Sequence, residues 1–197
     1  MSAGRGIVLH PDPVLRKKAR PVDRIDGFIK ELVADMHRVA KEYDGIGLAA
    51  PQVGESLRIF VTCALYGEPE RVYINPKLEL SGEIALGEEG CLSLPDIRAE
   101  IARPPRAKIT ALDIEGAEFT MEHDGIWARV WQHEFDHLEG TMIIDQYPGG
   151  QLGQEPQGLQ LGKAGDIDFC FSASANAAFF AFNSSIASSI PSSTISL

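Results

Sequence analysis

Apolar residues recur at steps of three and four along residues 26–44, DGFIKELVADMHRVAKEYD. Phe28, Ile29, Leu32, Val33, Met36, Val39, Ala40 and Tyr43 form one stripe, which predicts a first helix with Gly45 as its C-cap. From residue 46 the period changes. Segments 58–65 (RIFVTCAL), 71–80 (RVYINPKLEL), 97–103 (IRAEIAR), 106–114 (RAKITALDI) and 117–123 (AEFTMEH) are rich in β-branched residues and punctuated by Gly, Pro and Asn. They predict short strands, with Glu115-Gly116 as a tight hairpin connection. A helical pattern returns over about 125–139, with Asp124 as N-cap and Gly140 as the stop. Strands clustered between two helices predict an α+β fold, with mixed or antiparallel β-sheets packed around a central helix and one N-terminal helix. Cys63 alternates within its strand as a core residue. His37 lies near the edge of the first stripe with no acidic or Cys neighbour at ligand spacing, and reads as structural.

The pattern stops after Pro148. Residues 149–197 contain only four charged residues (Glu155, Lys163, Asp166 and Asp168) among many Ser, Ala, Gly and Gln. Their apolar run FCFSASANAAFFAF (169–182) is broken by Ser and Asn and is too short to span a bilayer. This divides the chain into a folded domain over 1–148 and a low-complexity, poorly ordered tail over 149–197.

Composition narrows the classes of function. The chain has 197 residues and a net charge of −10, so direct nucleic-acid binding, which needs clustered cations, is not expected. The basic group Arg16, Lys17, Lys18 and Arg20 reads as a solvated loop. No segment has the roughly 18 uninterrupted apolar residues of a membrane span, and Ile7–Leu9 before a proline turn is too short for a signal peptide. Cys63, Cys91 and Cys170 make a poor disulfide framework. A cytoplasmic protein fits best, or one of an organelle lumen for a eukaryotic source.

The second helix carries the candidate chemistry. Ile126, Val130, His133 and His137 continue one stripe, so both imidazoles face the core side one turn apart, where they can share a metal ion. Within WQHEFDHLEG (131–140), Glu134 projects to one side of the ligand face, the position of a general base for a water beside the metal. Asp136 lies farther round, and reads either as an anchor paired with Arg103 or as a plain surface carboxylate. The bland alternative is an ordinary helix with two satisfied histidines.

His-Glu-x-x-His is the pattern of zinc peptidases, and the third ligand separates the possible chemistries. Gly140 matches a metzincin continuation, but the residue three beyond it is Ile143, and no histidine occurs after His137. Upstream, EEGCLSLP (88–95) places Cys91 in a Gly-flanked extended segment from which a thiolate can reach a metal. Taken alone, Cys91 would be a small buried hydrophobe. The stretch GIGLAAPQVG (45–54) imitates a dinucleotide fingerprint, but a helix precedes it, and Pro51 stands where that fingerprint needs a helix to begin. Its glycines suit backbone brought close to a ligand, and Gln52 offers an uncharged amide donor for an oxyanion.

GIGLAAPQ (45–52), EGCLS (89–93) and QHEFDHLEG (132–140), in this order and separation, resemble the peptide deformylase family. HPDPVLRKKARPV (10–22) is similar to the family's N-terminal segment, so the resemblance spans residues 5–147. It implies that residues 1–148 are a catalytic domain built around a metal-bearing helix, with Cys91, His133 and His137 as ligands and Glu134 as acid and base. It also implies Gln52 and the Leu92 N–H as oxyanion donors, and Gly47, Glu89 and Gly90 along a groove for the peptide backbone. Ile46, Arg129 and Val130 would border the methionine pocket, with the Arg129 stem packed there and its head in water.

The implied reaction is removal of the formyl group from the N-terminal formylmethionine of new polypeptides, releasing formate. One divalent ion per chain is implied, Fe²⁺ in the cell, although Zn²⁺, Ni²⁺ and Co²⁺ also suit a Cys/His/His site. The implied partners are nascent N-formylmethionyl chains and, in transient contact, the ribosome. Bacterial members often reach the ribosome with a charged C-terminal helix, whereas this chain ends almost uncharged. Two rivals remain at this point: a metallopeptidase that cuts ordinary peptide bonds, and a non-enzymatic structural metal domain.

Overall fold

The computed structural model describes residues 5–146 and, as backbone, the short strand at 160–161. The expected low-complexity tail lies outside the described residues apart from that strand. Among the described residues, no helix is long and apolar enough to cross a membrane.

Helix α1 spans Gly27–Glu42 and begins where the Asp26 carboxylate accepts the Ile29 N–H at 3.2 Å. Its buried side chains are Ile29, Leu32, Val33, Met36, Val39 and Ala40. Phe28 and Tyr43, expected in the same stripe, are instead exposed (45% and 43%), because they lie at the flanks of the apolar arc. Phe28 sits under the Arg5 guanidinium at 5.4 Å. The helix stops before the expected Gly45: Tyr43 is the cap and Asp44 turns left-handed (φ 52°), while the Gly45 N–H still reaches the Ala40 carbonyl.

Strands β1 (Gly47–Ala49), β2 (Ile59–Thr62), β3 (Arg71–Ser81), β6 (Arg106–Leu112) and β7 (Glu118–Asp124) form a sheet in the order β1-β2-β3-β6-β7. Its ladders are antiparallel throughout. Alternation distributes side chains to the two faces. Ile59, Val61, Val72 and Ile74 pack under α1, and Phe60 and Tyr73 join Ala107, Ile109 and Ala111 on the opposite face. There they meet helix α2 (Gly125–Glu139) through Ala128, Trp131 and Leu138. With both faces covered, β2 is buried at every position, and Cys63, just past its end, is only half-buried beside the core. The Trp131 Nε1–H donates to the Tyr73 hydroxyl at 3.1 Å, so both polar tips are satisfied inside.

A second sheet pairs β4 (Ala85–Cys91) with β5 (Leu94–Arg103), and β5 carries the short strand β8 (Gln160–Leu161) on its other edge. Leu15, Cys91, Leu94, Ala99, Ile101, Met142 and Ile143 form the core beneath this hairpin. Helix α2 ends at Gly140, left-handed with φ 77°. Strand β7 alternates exposed Glu118, Thr120, Glu122 and Asp124 with half-buried Phe119, Met121 and His123.

Candidate metal centre

The residues of the site come from three separated stretches that the two sheets bring to one side of α2. His133 and His137 lie one helical turn apart, ring centroids 5.0 Å from each other and nearly perpendicular. Cys91 closes β4, with its Sγ 3.2 Å from His137 Nε2. The three offer ligand atoms within 4.8 Å of one another, and all three side chains are buried.

Strand geometry explains a fourth participant. Gly87, Glu89 and Cys91 alternate onto the same face of β4, the one turned toward α2. The Glu89 carboxylate is almost fully buried, and its Oε2 lies 3.1 Å from His133 Nδ1. Arg103 meets the same carboxylate with Nε at 2.5 Å and Nη2 at 2.8 Å. Burial alone would raise the Glu89 carboxyl, but the hydrogen bonds from Arg103 and His133 outweigh it and hold it well below the usual carboxylate range. An ionised Glu89 keeps the proton on His133 Nδ1, so the Nε2 lone pair is available to a metal. The expected pairing of Asp136 with Arg103 is present at 2.8 Å. The spacing E-x-C on a strand is the signal that identifies Glu89 as a partner of the cysteine's face.

Glu134 is buried, and its Oε2 has no hydrogen-bond partner among the described residues. Burial pushes its carboxyl up to about 7, against the opposing pull of His133 and His137. Gln52 sits in the tight turn Ala50–Val53, where its Oε1 accepts the Ala49 N–H at 2.9 Å. That bond fixes the amide, so its Nε2 faces Cys91 Sγ at 3.6 Å and Ser93 Oγ at 3.3 Å. Ser93, fully buried, is a site residue that the sequence does not single out. Leu92 lies with it in the two-residue turn that joins β4 to β5.

The remaining expected residues are distributed around this centre. Ile46 and Val130 pack together with Trp127, bordered by Leu65 and Ile126. Gly47 lies against the Glu134 carboxylate. Gly90 is buried opposite Arg98 in the β4–β5 ladder. The Glu89 side chain turns inward, toward His133 and Arg103. Arg129 differs from expectation, because its head group binds Glu89 Oε1 at 2.7 Å and the Ile101 carbonyl at 2.9 Å.

One thiolate and two imidazoles are a donor set for a borderline transition-metal ion, and three protein ligands match the catalytic pattern, not the closed four-ligand structural one. His137 Nδ1 and Glu134 Oε2 remain buried polar atoms without protein partners among the described residues. The Cys91/His133/His137 group can therefore hold a metal ion.

A family model described as "Polypeptide deformylase" matches residues 5–151. The chain is 50% identical over 142 residues to "Peptide deformylase 1" of Clostridium perfringens, covering 72% of this chain and 96% of that protein. It is 48% identical over 136 residues to a peptide deformylase of Thermotoga neapolitana, covering 68% and 82%. Among solved structures, the peptide deformylase of Thermotoga maritima superposes with a TM-score of 0.69 at 44% identity, covering 73% of this chain and 97% of that one. The family model's match covers the stretch that holds the Cys-His-His centre, and the chain belongs to the peptide deformylase family.

Proposed function

We propose that this chain, a peptide deformylase, hydrolyses the formyl amide at the N-terminus of N-formylmethionyl nascent chains, with Glu134 moving the proton. One observation supports this above the rest: a buried carboxylate with an unpartnered Oε2 stands beside a Cys-His-His donor set. A metal ion held by Cys91, His133 and His137 would supply Lewis-acid activation of water and of the formyl oxygen. Fe²⁺ is the proposed ion, on the family resemblance. Thiolate and imidazole ligands equally suit Zn²⁺, Ni²⁺ or Co²⁺.

Glu134 Oε2 takes the proton of the water that adds to the formyl carbon, then delivers it to the amine nitrogen as the C–N bond breaks. Formate and a free N-terminus result. The Gln52 Nε2–H, aimed by the Ala49 N–H, donates to the oxygen on which negative charge develops, joined by the Leu92 N–H. Ile46 and Val130 offer an apolar wall for the methionine side chain. Gly47 and Gly90 place backbone beside the centre for strand-like pairing with the peptide. Residues 1–148 form the catalytic unit in this reading, supported by the family match over residues 5–151. The place of work in this reading is the compartment where formylated chains emerge, the cytoplasm, or an organelle lumen for a eukaryotic source.

Anaerobically prepared protein with its metal content measured should release formate from formyl-Met-Ala-Ser and leave the peptide bonds intact. Glu134→Gln should keep the metal and lose formate release. Backbone cleavage of unformylated Met-Ala-Ser would support a metallopeptidase instead. A metal-loaded parent without either activity would leave a structural metal domain.

A further inference from the structure

The guanidinium of Arg129 reaches four acceptors. Nη1 donates to Glu89 Oε1 at 2.7 Å, to the Ile101 carbonyl at 2.9 Å and to the Gly87 carbonyl at 3.4 Å, while Nη2 donates to the Ala85 carbonyl at 3.1 Å. Three acceptors belong to β4 and one to β5, whereas Arg129 itself stands on α2, one residue before Val130. Gly87 and Ile101 are direct partners in the β4–β5 ladder, so the group lies across the face of the hairpin.

It can lie there because Gly87 has no side chain. A β-carbon at Gly87 would be 2.7 Å from Arg129 Cζ, 2.8 Å from Nη2 and 3.0 Å from Nε. The φ of Gly87 is not in the left-handed region, so the backbone does not require glycine at this position. What a side chain there would meet is the guanidinium, which would have to leave its present contacts. The side-chain exposure of Arg129 is 15%, and its charge is set against a carboxylate that also holds Arg103 and His133.

We infer that Arg129 is a positioning residue that clasps the β4–β5 hairpin to α2, with Gly87 as its obligate counterpart. The inference rests on the deformylase reading above. Strand β4 ends in Glu89, Gly90 and Cys91, so the clasp fixes the approach of the peptide-binding edge and of the thiolate to the two histidines. A planar fork suits this task, because four acceptors in different directions need several donors on one rigid group.

The test is steady-state formate release from formyl-Met-Ala-Ser by the metal-loaded parent, Arg129→Met, Arg129→Lys, Gly87→Ala and the combination of Gly87→Ala with Arg129→Met. Arg129→Met should raise KM about tenfold, with a smaller fall in kcat. Arg129→Lys, which keeps the charge beside Glu89 but reaches fewer carbonyls, should give an intermediate KM. Gly87→Ala should raise KM in the parent and do little more once Arg129 is already Met, so the two effects are not additive. An unchanged KM in both Arg129 variants, or additive effects in the combination, overturns the clasp. A lowered Tm with unchanged KM assigns Arg129 to stability alone and also overturns it. A parent that releases no formate overturns the underlying reading, and the clasp as a positioning device falls with it.

Discussion

The Glu134 carboxylate occupies the space in which Gly47 lacks a side chain: a β-carbon on Gly47 would lie 2.5 Å from Oε1 and 2.9 Å from Cδ. The glycine sits in β1 and the acid on α2, so a backbone strand forms one wall of the site. Gly47→Ala must move the carboxylate or the strand. Its formate release should fall about 100-fold, the scale of a displacement near 1 Å at a reacting group. Metal stoichiometry should be retained, because the nearest atoms that a β-carbon there meets all belong to Glu134; parent-like turnover would show that the strand gives way freely.

Glu89 is shared by Arg103, Arg129 and His133. Glu89→Gln preserves shape but removes the charge that holds the His133 proton on Nδ1. Metal affinity should fall about 10–100-fold, measured by competition with a chelator. Since two guanidinium groups lose their buried counter-charge, the metal-free protein should also melt at a lower temperature. Unaltered metal affinity would show that His133 is oriented by packing alone.

Gly140 closes α2 in the left-handed region, and a β-carbon there would lie 2.7 Å from the Arg16 carbonyl oxygen. Gly140→Ala should destabilise the protein by about 1–2 kcal/mol from backbone strain alone, with the contact to Arg16 adding to it. The expected signature is a Tm lowered in both metal-free and metal-loaded protein, with KM unchanged. An unshifted Tm would mean that the segment around Arg16 moves aside at no cost.

His37, on α1, gives a pH-dependent stability. Burial lowers its imidazole below the ordinary value of 6.5, more strongly than nearby Glu70 raises it, with Lys41 also lowering it. Its Nδ1 is buried without a hydrogen-bond partner among the described residues. Above pH 6.5 the ring is neutral whether the chain is folded or unfolded. Below it, the unfolded chain takes up a proton that the folded one resists, so stability falls as pH drops toward the lower folded value. His37→Gln should flatten the decline in Tm as pH falls below about 6.5. Parallel curves for the two proteins would remove His37 as the cause.

Both helices and the two histidine ligands are legible in the sequence because their signals are local. Ile126, Val130, His133 and His137 share one face by helical spacing alone, whereas Cys91, alone a small buried hydrophobe, reads as a ligand only beside those histidines and through the family resemblance. The less legible parts depend on partners distant in sequence. Strand β1 has three residues inside a glycine-rich stretch, too few to show alternation, and the GEEG in β4 looks like a loop until β5 pairs with it. Arg129 is the clearest example: three of its four acceptors are backbone carbonyls, which have no sequence signature. The stripe of α1 reads too wide at Phe28 and Tyr43, since periodicity locates the centre of an apolar face better than its flanks.

The five-stranded sheet has two unlike borders. At β7, three of the four outward side chains are acidic, so a second copy aligned along that border brings like charges together and is turned away. At β1 the border is three residues long, wholly buried in side chain and free of charge, and it lies against the Glu134 carboxylate. In the proposed function a peptide backbone is received beside β1, while the acidic β7 border turns away a second copy of the same border. On that reading the sheet works at one border while the other is guarded against joining two enzyme molecules edge to edge.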